Sequence, residues 1–190
     1  AYSRLLHSMC LFSLYFFAFV ALESNKTFAD SVLPSGGLVS VGQATIESAN
    51  STMTITQSSD RAAINWHSFS IGSNATVNFL QPSSSAVILN RVIGTEQSVI
   101  SGTLNANGNV FLLNSNGVLI TSGASINSAG LVATSMNLSD EDFIQDRYQF
   151  DNAGSSASVI NRGSINLAEG GYAILLGRHV SNEGVIHARM

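Results

Sequence analysis

Side chains able to do acid–base, nucleophilic or metal chemistry are sparse in this chain. Its 190 residues include only 12 Asp and Glu, 8 Lys and Arg, and 4 His. Catalysis needs such groups to converge. The densest cluster is Asp140, Glu141, Asp142 and Asp146. Four convergent carboxylates can ligate a cation, or divide into an acid and a base. Adjacent acids on a loop also form a plain solvated face, which is the commoner arrangement. The other acids considered, Asp60, Glu96, Glu169 and Glu183, are solitary. His179 and His187 lie close enough in sequence to share one structural repeat, but no conventional ligand pair accompanies them, and His67 stands apart. No Gly-x-Ser-x-Gly turn is present, and Gly170-Gly171 lacks the aspartate of a calcium-binding glycine-rich repeat. The expectation is a protein that is not an enzyme, with no catalytic, cofactor-binding or metal residues.

A different kind of signal sits at Phe111-Leu112-Leu113-Asn114-Ser115-Asn116-Gly117-Val118-Leu119-Ile120. Two apolar runs flank a tight polar turn. Asn and Gly tolerate left-handed backbone angles, and Gly117 is the residue expected at positive φ. The asparagines read first as corner hydrogen-bonders; direct contact with a partner is the alternative role.

The elements that position this corner are short strands. Thr52-Met53-Thr54-Ile55-Thr56-Gln57 alternates with period two, and Ala86-Val87-Ile88-Leu89-Asn90-Arg91-Val92 is almost continuously apolar, as in a strand covered on both faces. Ile64 and Trp66, then Phe69 and Ile71, form two alternating pairs with a break that fits a turn or bulge. Trp66 and Phe69 read as core or end-cap aromatics. No stretch before residue 138 shows helical periodicity.

A repeat orders these strands. Ser101-Gly102-Thr103-Leu104-Asn105, Ser122-Gly123-Ala124-Ser125-Ile126-Asn127, Arg162-Gly163-Ser164-Ile165-Asn166 and Glu183-Gly184-Val185-Ile186-His187 resemble one another. Their glycines are 21, 40 and 21 residues apart, which is one, two and one periods. Short strands and tight turns at that period describe an all-β, right-handed, single-stranded parallel β-helix. Its turns share one core, and asparagines or serines ladder at the corners. A β-sandwich is the runner-up architecture. The double gap holds an extra-helical excursion near 138–152. Ser139 is a candidate helix N-cap there, and Tyr148 and Phe150 alternate like one strand of an exposed hairpin.

Residues 1–29 are of another composition. Arg4 precedes an apolar run, Leu11 to Leu22, and Thr27-Phe28-Ala29 places small residues where a signal peptidase reads. The run is shorter than the roughly 20 residues that span a bilayer, so a signal peptide cleaved after Ala29 is expected over a membrane anchor. Residues 30–190 then carry six Arg against eleven acids and no cysteine, since Cys10 lies upstream. The scattered arginines argue against nucleic-acid binding. The chain stops at Met190 in the middle of a repeat, so the natural protein is expected to continue.

Four stretches together carry a resemblance: Leu33-Pro34-Ser35-Gly36-Gly37, Asn65 to Gly72, Gln81 to Val92, and Gly108 to Val118. They resemble the N-terminal secretion domain of two-partner-secreted exoproteins of Gram-negative bacteria, the filamentous haemagglutinin-like and high-molecular-weight adhesin-like proteins. Asn114-Ser115-Asn116-Gly117-Val118 looks like that family's Asn-Pro-Asn-Gly-Ile motif, with Ser115 in place of Pro and Val118 in place of Ile. Without proline's fixed φ the corner is expected to be less rigid. A second family motif, Asn-Pro-Asn-Leu, is missing, as in the adhesin-like branch.

The resemblance implies a β-helix with an N-terminal β cap over residues 30–190. It implies a secretion-targeting and folding-nucleus role in a large surface or secreted exoprotein, such as an adhesin. It also implies recognition by the periplasmic domains of a dedicated outer-membrane β-barrel transporter, and an extracellular location after export. A host or cell-surface ligand would be bound through the part beyond residue 190. The alternative is a β-helical polysaccharide-active enzyme or carbohydrate-binding protein.

Overall fold

The computed structural model describes residues 30–152 and 154–189. The chain winds from one short strand into the next: β1 (Leu38–Val41), β2 (Ala44–Ala49), β3 (Thr52–Gln57), β4 (Arg61–Trp66), β5 (Thr76–Leu80), β6 (Val87–Val92), β7 (Ser98–Ile100), β8 (Thr103–Ala106), β9 (Asn109–Asn114), β10 (Val118–Ile120) and β11 (Ser125–Thr134). A short helix, α1 (Asp140–Ile144), interrupts them before β12 (Ser158–Asn161), β13 (Ser164–Leu176), β14 (His179–Asn182) and β15 (Val185–Arg189).

These strands stack as a β-solenoid of about six turns. One face is β7, β10, β12 and β14 in parallel. A second is β3, β5, β8, the first half of β11, the first half of β13, and β15. A third is β4, β6, β9 and the second halves of β11 and β13. At the N-terminal end β1 pairs with β4 and β2 with β3, both antiparallel, which forms the expected β cap.

The repeat seen in the sequence is a repeat in space. On the second face Met53, Val77, Leu104, Ile126, Ile165 and Ile186 lie in register, and this column points into the core. The next position outward holds Asn78, Asn105, Asn127 and Asn166. Each of the last three donates its Nδ2 to the Oδ1 of the preceding one, at 3.0, 2.8 and 2.9 Å. This ladder runs along the middle of a face. Asn161, whose Nδ2 donates to Asn182 Oδ1 at 2.8 Å, does ladder at a corner, as expected. The recurrent glycines mark the corner between the first and second faces. A Cβ on Gly102 would lie 2.2 Å from the Gly72 carbonyl, and one on Gly184 2.2 Å from the Gly163 carbonyl. At Gly102, Gly163 and Gly184 stacked backbone leaves no room for a side chain, whereas at Gly123 the nearest atom, Ser101 O, is 3.7 Å away.

Trp66 and Phe69 are buried at the capped end in an edge-to-face pair with centroids 5.5 Å apart, and Trp66 Nε1 donates to Asn90 Oδ1 at 3.0 Å. Strand β6 is covered on both sides, as its sequence requires. Ile88 and Val92 face the interior, while Val87 and Leu89 belong to a second apolar cluster outside the solenoid.

That second cluster is made by the excursion. Asn137 and Asp151 form an antiparallel bridge that closes it into a loop. The loop folds back so that Leu138 and Phe143 pack on Ala63, Leu89, Phe111 and Val132. Tyr148 and Phe150 are not one strand of an exposed hairpin. Tyr148 lies 5.2 Å from the Phe111 ring, and Phe150 packs against the same cluster. Their alternation reflects contact with the solenoid wall.

Candidate functional site

The Asn114–Gly117 corner joins the end of β9 to the start of β10, between the third and first faces. Asn114 is fully buried, and its Nδ2 donates to Glu96 O and to Ser98 Oγ, both at 2.9 Å. Glu96 lies just before β7 and Ser98 is its first residue, so one amide pins two successive solenoid turns. Asn114 Oδ1 accepts from the Asn116 backbone N–H at 2.9 Å, an Asx turn. Asn116 Nδ2 donates to Gly94 O at 2.9 Å and to Asn114 Oδ1 at 3.1 Å. The Gly117 N–H donates to the Asn114 carbonyl at 2.8 Å and closes the turn.

Gly117 has φ +98°, the left-handed conformation its position demanded. A side chain there would also lie 2.7 Å from Ser158 O of the following solenoid turn. Val118 is buried and sits in register between Ser98 and Val159. Ser115 alone is exposed, and its carbonyl accepts from Ser155 Oγ at 2.7 Å. The segment before β12 thus ties down the residue that stands where proline was expected. Beside Ser115 the loop Ile93–Gln97 presents exposed Ile93, Thr95, Glu96 and Gln97. Ala29 lies outside the described residues.

The acidic cluster is committed to holding the excursion. Arg61, on β4, reaches Asp146 Oδ1 at 2.7 Å and donates to Phe143 O at 3.1 Å and Tyr148 Oη at 3.0 Å, with its guanidinium over both rings. Arg91, on β6, pairs with Asp140 at 2.7 Å and donates to Leu138 O at 2.5 Å. Ser139 caps α1 by accepting from the Asp142 N–H at 3.0 Å, as its sequence position indicated, and Arg147 pairs with Asp142 at 2.7 Å. The Tyr148 hydroxyl, then Arg61, holds the Asp146 carboxyl below its ordinary range. Ser139 and Arg147 do the same for Asp142. Burial pushes the Tyr148 phenol up. Ionised carboxylates neutralised by arginines are structural ties. Nothing near Arg61 or Arg91 in the sequence announces these contacts, because the partners lie 82 and 47 residues away for the backbone carbonyls alone.

His179 and His187 do fall on one solenoid turn, in β14 and β15, and both are exposed, as is His67. Among the described residues no three His, Cys, Asp or Glu converge, and no helix is long and apolar enough to cross a membrane.

The chain is 40% identical over 162 residues to the heme/hemopexin-binding protein of Haemophilus influenzae strain KW20 Rd, an alignment covering 82% of this chain and 18% of that protein. A second Haemophilus influenzae heme/hemopexin-binding protein is 47% identical over 123 residues, covering 64% of this chain and 13% of the relative. The chain therefore spans under a fifth of either. Among solved structures, the crystal structure of the HMW1 secretion domain from Haemophilus influenzae superimposes with a TM-score of 0.78 at 35% identity, over 82% of this chain and 42% of that one. Residues 30–190 match the TPS secretion domain family throughout, and with a capped solenoid carrying the Asn-Ser-Asn-Gly corner, the chain belongs to that family.

Proposed function

We propose that residues 30–190 are the address by which a longer exoprotein is delivered to a dedicated outer-membrane β-barrel transporter, and the nucleus on which its remaining turns assemble. The observation that carries this is the family match along the whole solenoid, together with a carboxylate cluster that is used as a structural tie. A polysaccharide-active enzyme is not favoured, since the one carboxylate cluster is paired with Arg61, Arg91 and Arg147. In this reading residues 1–29 direct export across the inner membrane and are removed after Ala29, and the chain then passes the periplasmic domains of the transporter to the cell exterior. Absence of cysteine from residues 30–190 suits passage through a narrow pore, because no disulfide-closed loop can form within this domain. Binding of a host or surface ligand is assigned to the protein beyond residue 190, and the names of the relatives make heme and hemopexin the first ligands to test.

The corner divides its labour in this proposal. Asn114 and Asn116 hold the turn, while Ser115 and the adjoining Ile93–Gln97 loop are the parts a transporter can touch. Co-expression with and without the cognate transporter, followed by quantifying the domain in the medium, tests the address. Equal export in both cases removes it. Asn116→Ala is expected to lose folding and secretion together, and Ser115→Arg to lose secretion with unchanged far-UV circular dichroism. A secreted Ser115→Arg domain would remove the exposed edge from the recognition surface.

A further inference from the structure

Asn-Gly occurs twice in the sequence, at Asn107-Gly108 and Asn116-Gly117. It is the step at which a polypeptide most readily attacks itself. Glycine has no side chain to shield its backbone nitrogen, which can close on the neighbouring carboxamide carbon. Both steps fall in one solenoid turn, at the two ends of β9.

The fold holds both in the same way. Asn107 Oδ1 accepts from the Gln81 N–H at 2.7 Å, and its Nδ2 donates to Gln81 O at 2.8 Å. The Gly108 N–H donates to Gln81 Oε1 at 3.0 Å. Asn116 Nδ2 is bonded to Gly94 O and Asn114 Oδ1, and the Gly117 N–H to Asn114 O. At each site the carboxamide is held by hydrogen bonds to other residues, and the attacking nitrogen is already committed to another acceptor.

We propose that Asn107 and Asn116 are deamidation sites that folding switches off, and that conversion of either bars the chain from refolding. In the unfolded chain the glycine nitrogen bonds to the asparagine Cγ and loses its proton, the Cγ–Nδ2 bond breaks, and ammonia leaves. Water then opens the resulting succinimide to aspartate or isoaspartate. No other reactant is required. Aspartate at 116 aims a carboxylate at Gly94 O and Asn114 Oδ1, acceptor against acceptor, where an amide had donated. Aspartate at 107 does the same against Gln81 O. Isoaspartate adds a methylene to the main chain at a corner whose two strands must stay in register with β6, β7, β11 and β12. The chemistry does not depend on the secretion reading. If that reading holds, a chain stalled before folding outside the cell ages into one that can no longer fold.

The test incubates the whole chain at mildly alkaline pH in plain buffer and in guanidinium chloride, and maps peptides by mass. Aspartate and isoaspartate should accumulate at 107 and 116 ahead of the other asparagines in guanidinium. In buffer the rate should fall by more than about tenfold, a factor that even a modest local opening equilibrium imposes. After dilution from guanidinium, converted chains should remain protease-sensitive while unconverted ones regain resistance. Equal rates in the two solvents would overturn the protection. Recovery of resistance by converted chains, or by an Asn116→Asp variant, would overturn the bar to refolding.

Discussion

The molecule has two apolar cores of different kinds. The interior core is built from columns of like residues, such as Leu104, Ile126 and Ile165, each touching its counterpart one turn away. The outer core is built once. Phe143, Leu138, Phe111, Leu89 and Ala63 gather under a loop that no other turn repeats. A solenoid with nearest-neighbour contacts alone folds as a one-dimensional array, in which any turn can add to or fray from the stack. The excursion breaks that rule. It leaves the chain after β11, runs back across the third face, and is gripped by Arg61 on β4, at the capped end. The repeated core therefore allows propagation, and the single core lays a separate strap across the first turns, held by contacts that the stacking itself does not use.

The strongest way to break this comparison is to remove an interior anchor. Trp66→Ala empties a fully buried site and strips Asn90 Oδ1 of its donor. Losses of about 3–5 kcal/mol are usual for such a truncation. The capped end should melt and take the excursion with it, since Arg61 is on the same strand. Chemical unfolding read by far-UV circular dichroism should show the whole shift. A variant that unfolds at the wild-type denaturant concentration would show that the cap is not part of the cooperative unit.

Phe143→Ala, fully buried in the outer core, should cost less in effective stability, about 3 kcal/mol at the lower end of the same range. The strap can detach while the turns beneath remain stacked. The distinguishing readout is location. Limited proteolysis should open at residues 139–150 while β8 to β11 stay resistant. Simultaneous cleavage in both regions would mean that the strap holds the solenoid together and does not merely cover it.

These two regions were also unequally legible from sequence. The interior could be read because stacking imposes identity at fixed spacing. Gly102, Gly163 and Gly184 recur where a carbonyl of the neighbouring turn leaves no space, and Asn105, Asn127 and Asn166 recur because each amide bonds to the next. The corner was legible for a local reason, since Gly117 needs positive φ and Asn114 forms its Asx turn within two residues. The strap's landing site left no such trace. Its one advance sign was the double-sided burial of Val87 to Val92, which shows that something covers β6 without saying what. The alternation of Tyr148 and Phe150 suggests a strand in sequence, because a two-residue alternation looks the same against a neighbouring strand as against the solenoid wall.

The smallest expected effect is a pH dependence that belongs to the strap and not to the interior. The buried polar residues described are Gln, Asn, Ser and Thr, none of which titrates in acid. The strap holds Asp142 and Asp146, both with carboxyl pKa lowered by hydroxyl and arginine partners. A carboxyl that is a stronger acid in the folded state stabilises that state fully above its unfolded pKa, about 3.9 for aspartate, and loses this contribution as pH falls through the native value. Acidification from about pH 6 to about pH 3 should therefore loosen the strap first. Amide exchange for residues 137–151 should speed up across this window while that of β8 and β9 is unchanged. The change should be slight, because these pairs are largely exposed and screened by salt. Asp146→Asn should remove part of it, with Asp142 retaining the rest. If β8 and β9 exchange faster in step with the strap, the two cores are one unit and the proposed division between them fails.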